Sequence, residues 1–526
     1  MVLLSPVDIG TKRVPGDLET VTPGPGSGSR RGWGRRWAAD LALALVALAY
    51  GLSQLAERRV GLGWDESIYF SQVTPHEPAA FFSAPRARGI SWLAAPLAQA
   101  TTDVGALRIY LTVLSSIALY LAFRAWFRVI PVPAVVFSAS AFGSLWVTRF
   151  YGAQLMPNLW VAFGALAAVG GFMRLTGNRR DLLGLVALPT GLAVAALMRP
   201  TDAAYVALGL LLCAVLVRPW RRDLPLVGLT IAGAALGAIP WVVEAEARFG
   251  GVAERLRQGS AIQGGLGWAP QVFTQHLRTL DGPLLCRPCT PPADAPFDTV
   301  WLLLIPATVL VLVLVRVVLH ERVPAGAFVA LVTGTAVGVP YLLLIGYSAP
   351  RFLLPALALL SPAVGTAMLT LLAPLAWRGP SVRRAAPAAG IVLVAALAGA
   401  QIVAQQRVFA AEVHSSAHSA QAYTDLGRIL GADGLRSPCI VSGTRSPQIA
   451  FATGCSSRNV GGHDASITSA GLLAAARHEP AVAVVQPGQV PAAHLRHWLR
   501  RDVSVPGHAG VWQVYTPAGS SLVRSP

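Results

Sequence analysis

The sequence predicts an all-α polytopic membrane protein of about 11 transmembrane helices with a small C-terminal extracytoplasmic α/β domain. Of its 526 residues, 54% are hydrophobic and 13% are charged, whereas about 25% of the residues of a soluble domain are charged. The mean hydropathy is +0.55. Apolar runs close to the roughly 20 residues that cross a bilayer core also recur along the chain. Much of the exterior must therefore face lipid.

Composition divides the chain into three regions. Residues 1–36 are rich in Pro, Gly, Ser and Arg and predict a disordered cytoplasmic tail. Residues 37–404 contain the spans and two long outer loops, 56–104 and 245–297. Residues 405–526 alternate short Val/Ile runs, at 440–442 and 481–485, with polar helices, at 470–478 and 491–499, and predict the α/β domain. The spans are expected near residues 37–55, 105–123, 131–147, 157–173, 182–198, 203–217, 225–243, 298–318, 325–346, 352–376 and 386–404.

The net charge of +17 does not indicate a nucleic-acid-binding protein. The arginines form small clusters between apolar runs instead of one dense basic face. Cytoplasmic loops are enriched in positive residues, so the clusters predict a cytoplasmic N-terminus and, with an odd number of spans, an extracytoplasmic C-terminal domain. The loops concerned carry Arg124 and Arg128; Arg174, Arg179 and Arg180; Arg218, Arg221 and Arg222; Arg316 and Arg322; and Arg378, Arg383 and Arg384.

Four of the five cysteines fall outside the membrane in this topology. Cys439 and Cys455 lie in the C-terminal domain, Cys286 and Cys289 lie in the second outer loop, and Cys213 lies in an apolar run. An oxidising compartment favours disulfides, so we expect each of the two pairs to be bridged. The Cys286-x-x-Cys289 pair is also compatible with a redox or zinc site, although no histidine completes a zinc spacing. A divalent metal ion is the one cofactor left open.

Two adjacent acids, Asp65 and Glu66, follow Trp64 soon after the first span. Ionisable groups at a membrane edge are costly to place and often mark functional sites. Neighbouring residues on a helix point about 100° apart, so the two acids cannot have the same role. One is expected to face a cavity while the other orients it or caps a helix. The alternative is an ordinary solvated helix start, where acids favour the helix dipole.

The order of these elements resembles the GT-C superfamily of membrane glycosyltransferases, in the branch of the protein mannosyltransferases and the lipid A aminoarabinose transferase. Members carry an acidic pair in the first outer loop, and the resemblance covers about residues 37–376. Where many relatives have a second acid, this chain has Asn158. The similar segments are Trp64–Tyr69, Pro85–Leu93, Ala106–Arg108, Arg149–Tyr151, Met156–Asn158, Arg199–Pro200, Pro240–Trp241 and Pro350–Ala356.

The resemblance implies an inverting glycosyltransferase at the outer membrane face. Its donor would be a polyprenyl-phosphate sugar, and its acceptor a hydroxyl of a glycan, lipid or protein, with membrane lipids as surroundings and no nucleic acid as partner. Asp65 is the candidate base for the acceptor hydroxyl, and Glu66 is an alternate base or an orienting group. Burial among apolar helices is expected to raise the pKa of the base.

Arginines at outer span ends are candidates to bind the donor phosphate, because guanidinium pairs with phosphate through two hydrogen bonds. Arg351 fits best, and Arg199 and Arg149 also qualify; the alternative for each is an arginine that extends to interfacial water. Further candidate substrate contacts are Arg86, Arg88, Tyr347 and Trp268, of which Trp268 is equally typical of an interface anchor.

Two other function classes compete with this interpretation. A transporter or flippase for a lipid or amphiphile would also use arginines and an acid at the membrane edge, but an internal repeat and mid-membrane charges are expected of it. Neither is evident in the sequence. A non-catalytic subunit of envelope assembly would use the acidic pair only as a helix cap.

Overall fold

The computed structural model describes residues 28–221, 223–280, 282, 284–285, 308–310, 324–372 and 382–518. The chain separates into two compact units, Met1–Leu41 and Ala42–Pro526. The first is described only from Gly28 onward, where it is helical, so residues 28–36 of the predicted disordered tail belong to a helix. Residues 1–27 lie outside the described residues. Apart from the part of the first helix that precedes Ala42, everything else belongs to the second unit.

Helices make up most of the second unit, and their positions follow the apolar runs of the sequence. They are α1 Gly28–Ser53, α2 Trp64–Ser71, α3 Gly89–Ala98, α4 Val104–Arg124, α5 Val132–Gly143, α6 Trp146–Gly152, α7 Pro157–Gly177, α8 Leu182–Met198, α9 Pro200–Leu216, α10 Leu224–Phe249, α11 Val252–Ile262, α12 Gln271–Thr279, α13 Ala325–Leu343, α14 Leu354–Leu372, α15 Val382–Ala432, α16 Ser446–Thr453 and α17 Ser469–Ala475.

Within the described residues, six helical segments are long and apolar enough to cross a membrane. They are Trp37–Arg59, Val104–Arg124, Pro157–Gly177, Leu224–Phe249, Ala325–Leu343 and Pro350–Thr370. The predicted spans at 131–147, 182–198 and 203–217 correspond to shorter apolar helices, and the span at 298–318 lies outside the described residues except for 308–310. The multi-pass helical class is confirmed, whereas the count of 11 spans is not.

Helix α15 is longer than the predicted last span. It continues through the predicted domain boundary at 405 and ends at Ala432. No proline or glycine lies between Gly399 and Gly427, so no helix-breaking residue stops it there. The C-terminal domain therefore follows a continuous helix, and one face of that helix reaches the cavity described below.

The C-terminal domain has a five-stranded sheet with the order β2-β1-β3-β5-β4. The strands are β1 Ile440–Gly443, β2 Ser456–Ser457, β3 Ala481–Val485, β4 Leu499–Ser504 and β5 Val511–Thr516. Strand β1 runs parallel to β2 and β3, while β5 is antiparallel to β3 and β4. Every residue of β3 is buried, as expected of a strand covered on both faces.

The predicted strands at 440–442 and 481–485 are confirmed, and the helix predicted at 470–478 is observed at Ser469–Ala475. The helix predicted at 491–499 is wrong. That segment contains a 3-10 turn at Ala493–Leu495, and β4 then pairs with β5 along its whole length, starting at Leu499. Sheet pairing overrides local helical preference here.

The expected disulfide between Cys439 and Cys455 is present and joins the ends of β1 and β2. Cys213 is buried in α9 with a free thiol. The second expected pair, Cys286 and Cys289, lies outside the described residues.

Small residues allow the central membrane helices to approach closely. Helix α7 is largely buried and packs against α8 through glycines. A Cβ at Gly191 would lie 2.4 Å from the carbonyl oxygen of Gly164, so the two backbones meet directly. In a bilayer the hydrophobic effect does not drive helices together, so close packing through glycine and other small residues holds them in contact.

We expect Gly191→Val to destabilise the protein by about 1–3 kcal/mol, because the added side chain forces α7 and α8 apart. Gly228→Val is the matched control, since a Cβ there meets no atom within 4 Å. Thermal unfolding of the detergent-solubilised protein measures both variants. Equal losses of stability in the two variants would contradict the claim that the close contact between α7 and α8 stabilises the protein.

Candidate functional site

A cavity of about 820 Å³ lies where α2, the 3-10 turn Pro350–Leu353, helix α15 and the C-terminal domain meet. Six predicted site residues line it: Asp65, Glu66, Arg86, Arg199, Tyr347 and Arg351. The structure therefore brings together the acidic pair and two of the three arginines predicted for the donor phosphate. Arg88, Arg149 and Trp268 are not among the lining residues.

Glu66 is fully engaged in a buried ion pair with Arg108 of α4. The side chains of Arg108 and Glu66 are 1% and 3% exposed. Oε1 of Glu66 accepts from Arg108 Nη1 at 2.5 Å and from the backbone N–H of Leu155, and Oε2 accepts from Arg108 Nη2 and from the N–H of Gly63. The bond to Gly63 caps the start of α2. These contacts fit the orienting and capping role expected for one of the two acids.

Asp65 points into the cavity between two cations. Its side chain is 30% exposed, and its oxygens lie 2.9 Å from Arg86 Nη2 and 3.4 Å from Arg351 Nη2. Burial disfavours the charged carboxylate, but Arg86 and then Arg351 outweigh this, so the pKa of Asp65 lies below its usual range. The direction is opposite to the rise expected from the sequence, because two arginines converge on one carboxylate.

Arg86 joins Asp65 to the C-terminal domain. Its Nη1 donates to Asp464 Oδ1 at 2.5 Å while Nη2 contacts Asp65. The indole N–H of Trp64 donates to the other Asp464 oxygen at 2.6 Å. Asp464 is buried, and it belongs to the loop between β2 and β3. One carboxylate of the soluble domain thus holds two neighbours of the candidate base.

The loop that carries Arg86 is fixed from behind by Arg255 of α11, which is fully buried. Arg255 donates to the backbone carbonyls of Ala84 and Arg86 and pairs with Glu244 at 2.9 Å. Glu244 also pairs with Arg88, whose guanidinium stacks on Phe82. Arg88 therefore belongs to the residues that support this loop and not to the cavity wall.

The two cavity arginines that were predicted to bind the donor phosphate differ in how they are neutralised. Arg199 lies 3.0 Å from the fully buried Asp202, and it also donates to the hydroxyl of Tyr341. Among the described residues, the only ion pair of Arg351 is the 3.4 Å contact with Asp65. The ion-pair partner of Arg351 is therefore the candidate base itself.

Two predicted contacts lie elsewhere. Arg149 hydrogen-bonds Ser53 and Gln406, and its guanidinium stacks on Phe409 at 3.9 Å, so it links α6 to the end of α1 and to the middle of α15. Trp268 is 72% exposed. Asn158, at the position where relatives carry an acid, is completely buried and does not line the cavity.

The structure adds site residues that sequence reasoning missed. Glu412 lines the cavity, and burial raises its pKa to about 7. With Ser415, Ser416 and Ser419 it forms a polar stripe on α15. Spacings of three, four and seven residues place side chains on one face of a helix, so the sequence alone could have indicated this stripe. Asp464 follows the glycine pair Gly461-Gly462, which marks a loop but gives no hint of its distant partners. Across the described residues, no group of three or more His, Cys, Asp or Glu side chains forms a metal site.

Comparison with known proteins gives agreement in structure alone. No family model and no curated protein matches the sequence. The structure of ArnT from Cupriavidus metallidurans bound to undecaprenyl phosphate is similar with a TM-score of 0.63 and 13% identity, over 93% of this chain and 99% of that chain. The structure of the same protein in the apo state is similar with a TM-score of 0.60 and 14% identity, over 92% of this chain and 98% of that chain.

A third structure is the archaeal oligosaccharyltransferase AglB from Archaeoglobus fulgidus in complex with an inhibitory peptide and a dolichol-phosphate. Its TM-score is 0.51 at 12% identity, over 95% of this chain and 75% of that chain. ArnT and AglB are both members of the GT-C superfamily. The chain has the GT-C fold. The fold class expected from the order of the sequence elements is thus confirmed, although identity is too low to transfer substrate or acceptor.

The two adjacent acids should respond differently to isosteric substitution. We expect Glu66→Gln to cost about 3–5 kcal/mol of stability, because Arg108 is left buried without a counter-charge. Asp65→Asn should cost much less, since Arg86 keeps Asp464 and the Asp65 side chain is partly exposed. Thermal unfolding in detergent distinguishes them, and an equal loss for both variants would contradict the division of roles.

Proposed function

We propose that the protein is a glycosyltransferase that moves a sugar from a polyprenyl phosphate to an acceptor hydroxyl at the outer face of the membrane. The observation that carries this proposal is the partly exposed carboxylate of Asp65, held beside Arg351 in a large cavity of a GT-C fold. The lipid-phosphate ligands of ArnT and AglB support a lipid-linked donor for this chain. Its arginine distribution supports a cytoplasmic N-terminus and an extracytoplasmic C-terminal domain.

The reaction requires one base and one anion-stabilising group. The oxygen of the acceptor hydroxyl attacks the anomeric carbon as the bond from that carbon to the phosphate oxygen breaks. The phosphate leaves with the bonding electrons, and the hydroxyl proton passes to Asp65. Attack opposite the leaving group inverts the anomeric centre. Glu66 holds the start of α2 so that Asp65 keeps its direction.

Arg351 connects donor binding to the strength of the base. A phosphate that enters the cavity competes with Asp65 for the guanidinium, which favours phosphate through paired hydrogen bonds. When Arg351 turns to the phosphate, Asp65 loses one of the three cations, Arg86, Arg351 and Arg199, that lower its pKa. The carboxylate then becomes a stronger base at the moment when the donor is in place. The same guanidinium stabilises the charge that grows on the leaving phosphate.

The cavity wall also suits a lipid-linked donor. Apolar side chains of Phe150, Met156, Leu284 and Leu285 line it together with the charged groups. A prenyl chain can contact these residues while its phosphate lies near Arg351. Arg199 is a further candidate for the phosphate or sugar, although Asp202 already neutralises it.

We expect Asp65→Asn to lower turnover by about 10²–10⁴-fold through loss of the base, and Arg351→Ala to lower it through loss of phosphate stabilisation. The assay measures sugar release from a panel of radiolabelled polyprenyl-phosphate sugars by the purified protein in lipid. Arg257→Ala, which removes an exposed arginine outside the cavity, should keep full activity. A donor turned over equally by Asp65→Asn would remove Asp65 as the base. If the folded wild type consumes no donor even with acceptor-containing membrane extract, the transporter interpretation is favoured.

The proposed base also predicts a shift in pH dependence. Among the arginines that lower the pKa of Asp65, Arg86 has the largest effect. Removing that charge in Arg86→Gln raises the pKa, so the protonated, inactive form persists to higher pH. The acid limb of kcat/KM should therefore move to higher pH than in the wild type. Arg88→Gln is the neighbouring control, because Arg88 pairs with Glu244, and an identical shift in both variants would argue against the assignment.

A further inference from the structure

A second cavity, of about 420 Å³, opens in the C-terminal domain beside the first. We call it the crevice. It is lined by Ser442, Gly443 and Thr444 at the end of β1 and by Ala483, Val484 and Val485 at the end of β3. These strands are parallel, so the crevice lies outside their carboxyl ends. The reaction proposed above assigns no role to this space.

The sheet topology makes this position a typical ligand site. From β1 the chain continues to β2 on one side, and from β2 it crosses to β3 on the opposite side of β1. The order of strands thus reverses between β1 and β3. In open α/β sheets, ligands bind at the carboxyl ends of the strands at such a reversal.

The backbone around the crevice is arranged for close approach. Gly443 has φ of +88°, and a Cβ there would lie 2.3 Å from the carbonyl oxygen of Val484. Its N–H donates to Asn459 Oδ1, which also accepts from the Ser446 hydroxyl. Because the oxygen is engaged by two donors, the NH2 group is the part of the Asn459 amide that is left to bind a ligand in the crevice.

The lining favours a neutral, hydroxyl-rich ligand. None of the described residues that line the crevice is a lysine or arginine, and its titratable side chains are those of His463, Asp464 and His494. A phosphate or nucleotide would therefore meet a carboxylate and find no guanidinium or ammonium group there. The Ser442 hydroxyl and the Asn459 amide can hydrogen-bond a ligand, and the Thr444 hydroxyl, which donates to Gln489, can still accept from one. Val460 and Val485 supply apolar surface. A sugar ring has this combination of polar edges and apolar faces.

Trp64 lines both the crevice and the reaction cavity. Its indole N–H donates to Asp464, which fixes the orientation of the half-buried ring. Asp65 is the next residue, with its Cα about 3.8 Å from that of Trp64. A sugar held against Trp64 in the crevice therefore lies one residue along α2 from Asp65, which lines the neighbouring reaction cavity.

We propose that the crevice binds a neutral sugar unit of the acceptor and that Trp64 separates this subsite from the donor side. The proposal rests on the glycosyltransferase function above and names its acceptor class as a glycan. The loop containing His463 and Asp464 lines both cavities, and Arg86 ties it to Asp65. Acceptor recognition and proton transfer are thereby joined through one loop and one arginine.

The test measures sugar binding to the full-length protein in lipid nanodiscs by saturation-transfer NMR. The probes are the methyl glycosides of glucose, mannose, galactose and arabinose, with inorganic phosphate as an anionic comparison. Ala492→Trp and Val490→Trp fill the crevice from two exposed positions that line it. Ala493→Trp adds the same bulk at the next exposed residue, which does not line the crevice.

We expect at least one glycoside to bind the wild type and Ala493→Trp, and to lose binding in both Ala492→Trp and Val490→Trp. Binding that persists in both filling variants, or binding of phosphate instead of a glycoside, would overturn the proposal. Donor turnover measured on the same samples keeps the two proposals apart. Turnover by wild type without any crevice-dependent glycoside binding overturns the crevice alone, whereas glycoside binding without turnover of any donor counts against the transferase function.

Discussion

The buried ion pair between Glu66 and Arg108 determines where the rest of the site lies. It fastens the first turn of α2 to α4, and both side chains are almost completely excluded from solvent. Losing either partner of such a pair strands a charge in a medium of low dielectric constant. Because Asp65 precedes Glu66 by one residue on a helix, its direction is set about 100° away. The pair thus fixes Asp65 toward the cavity.

The distribution of counter-charges explains why one arginine stands out. Arg86 has Asp464 as well as Asp65, and Arg199 has Asp202. Among the described residues, Asp65 is the only carboxylate that pairs with Arg351. Their 3.4 Å contact is longer than the ion pairs of Arg86 and Arg199. A phosphate can therefore take Arg351 without stranding any other buried carboxylate. In the proposed reaction, the ion pair keeps Asp65 and Arg351 ionised and oriented until the phosphate enters.

Features dictated locally could be predicted from the sequence, and those made by distant contacts could not. Helix α8 has the bounds predicted for it, since its apolar run begins after Asp181 and ends before Arg199 and Pro200. Asp65 was found because a carboxylate at a membrane edge is costly. Asp464 lies about 400 positions away and reaches the site only through the folded C-terminal domain. Arg149 has the expected position at a span end, but it packs on Phe409. The direction of the Asp65 pKa depended on two converging arginines that no spacing reveals.

The most direct test of the account is a structure of the protein in lipid with a polyprenyl phosphate bound. The account predicts that the phosphate lies within about 3 Å of the Arg351 guanidinium, at hydrogen-bond distance. It also predicts that the Asp65 to Arg351 contact opens while the Glu66 to Arg108 pair stays unchanged. A phosphate bound outside this cavity, or an Asp65 to Arg351 pair that remains closed beside it, would contradict the exchange on which the account rests.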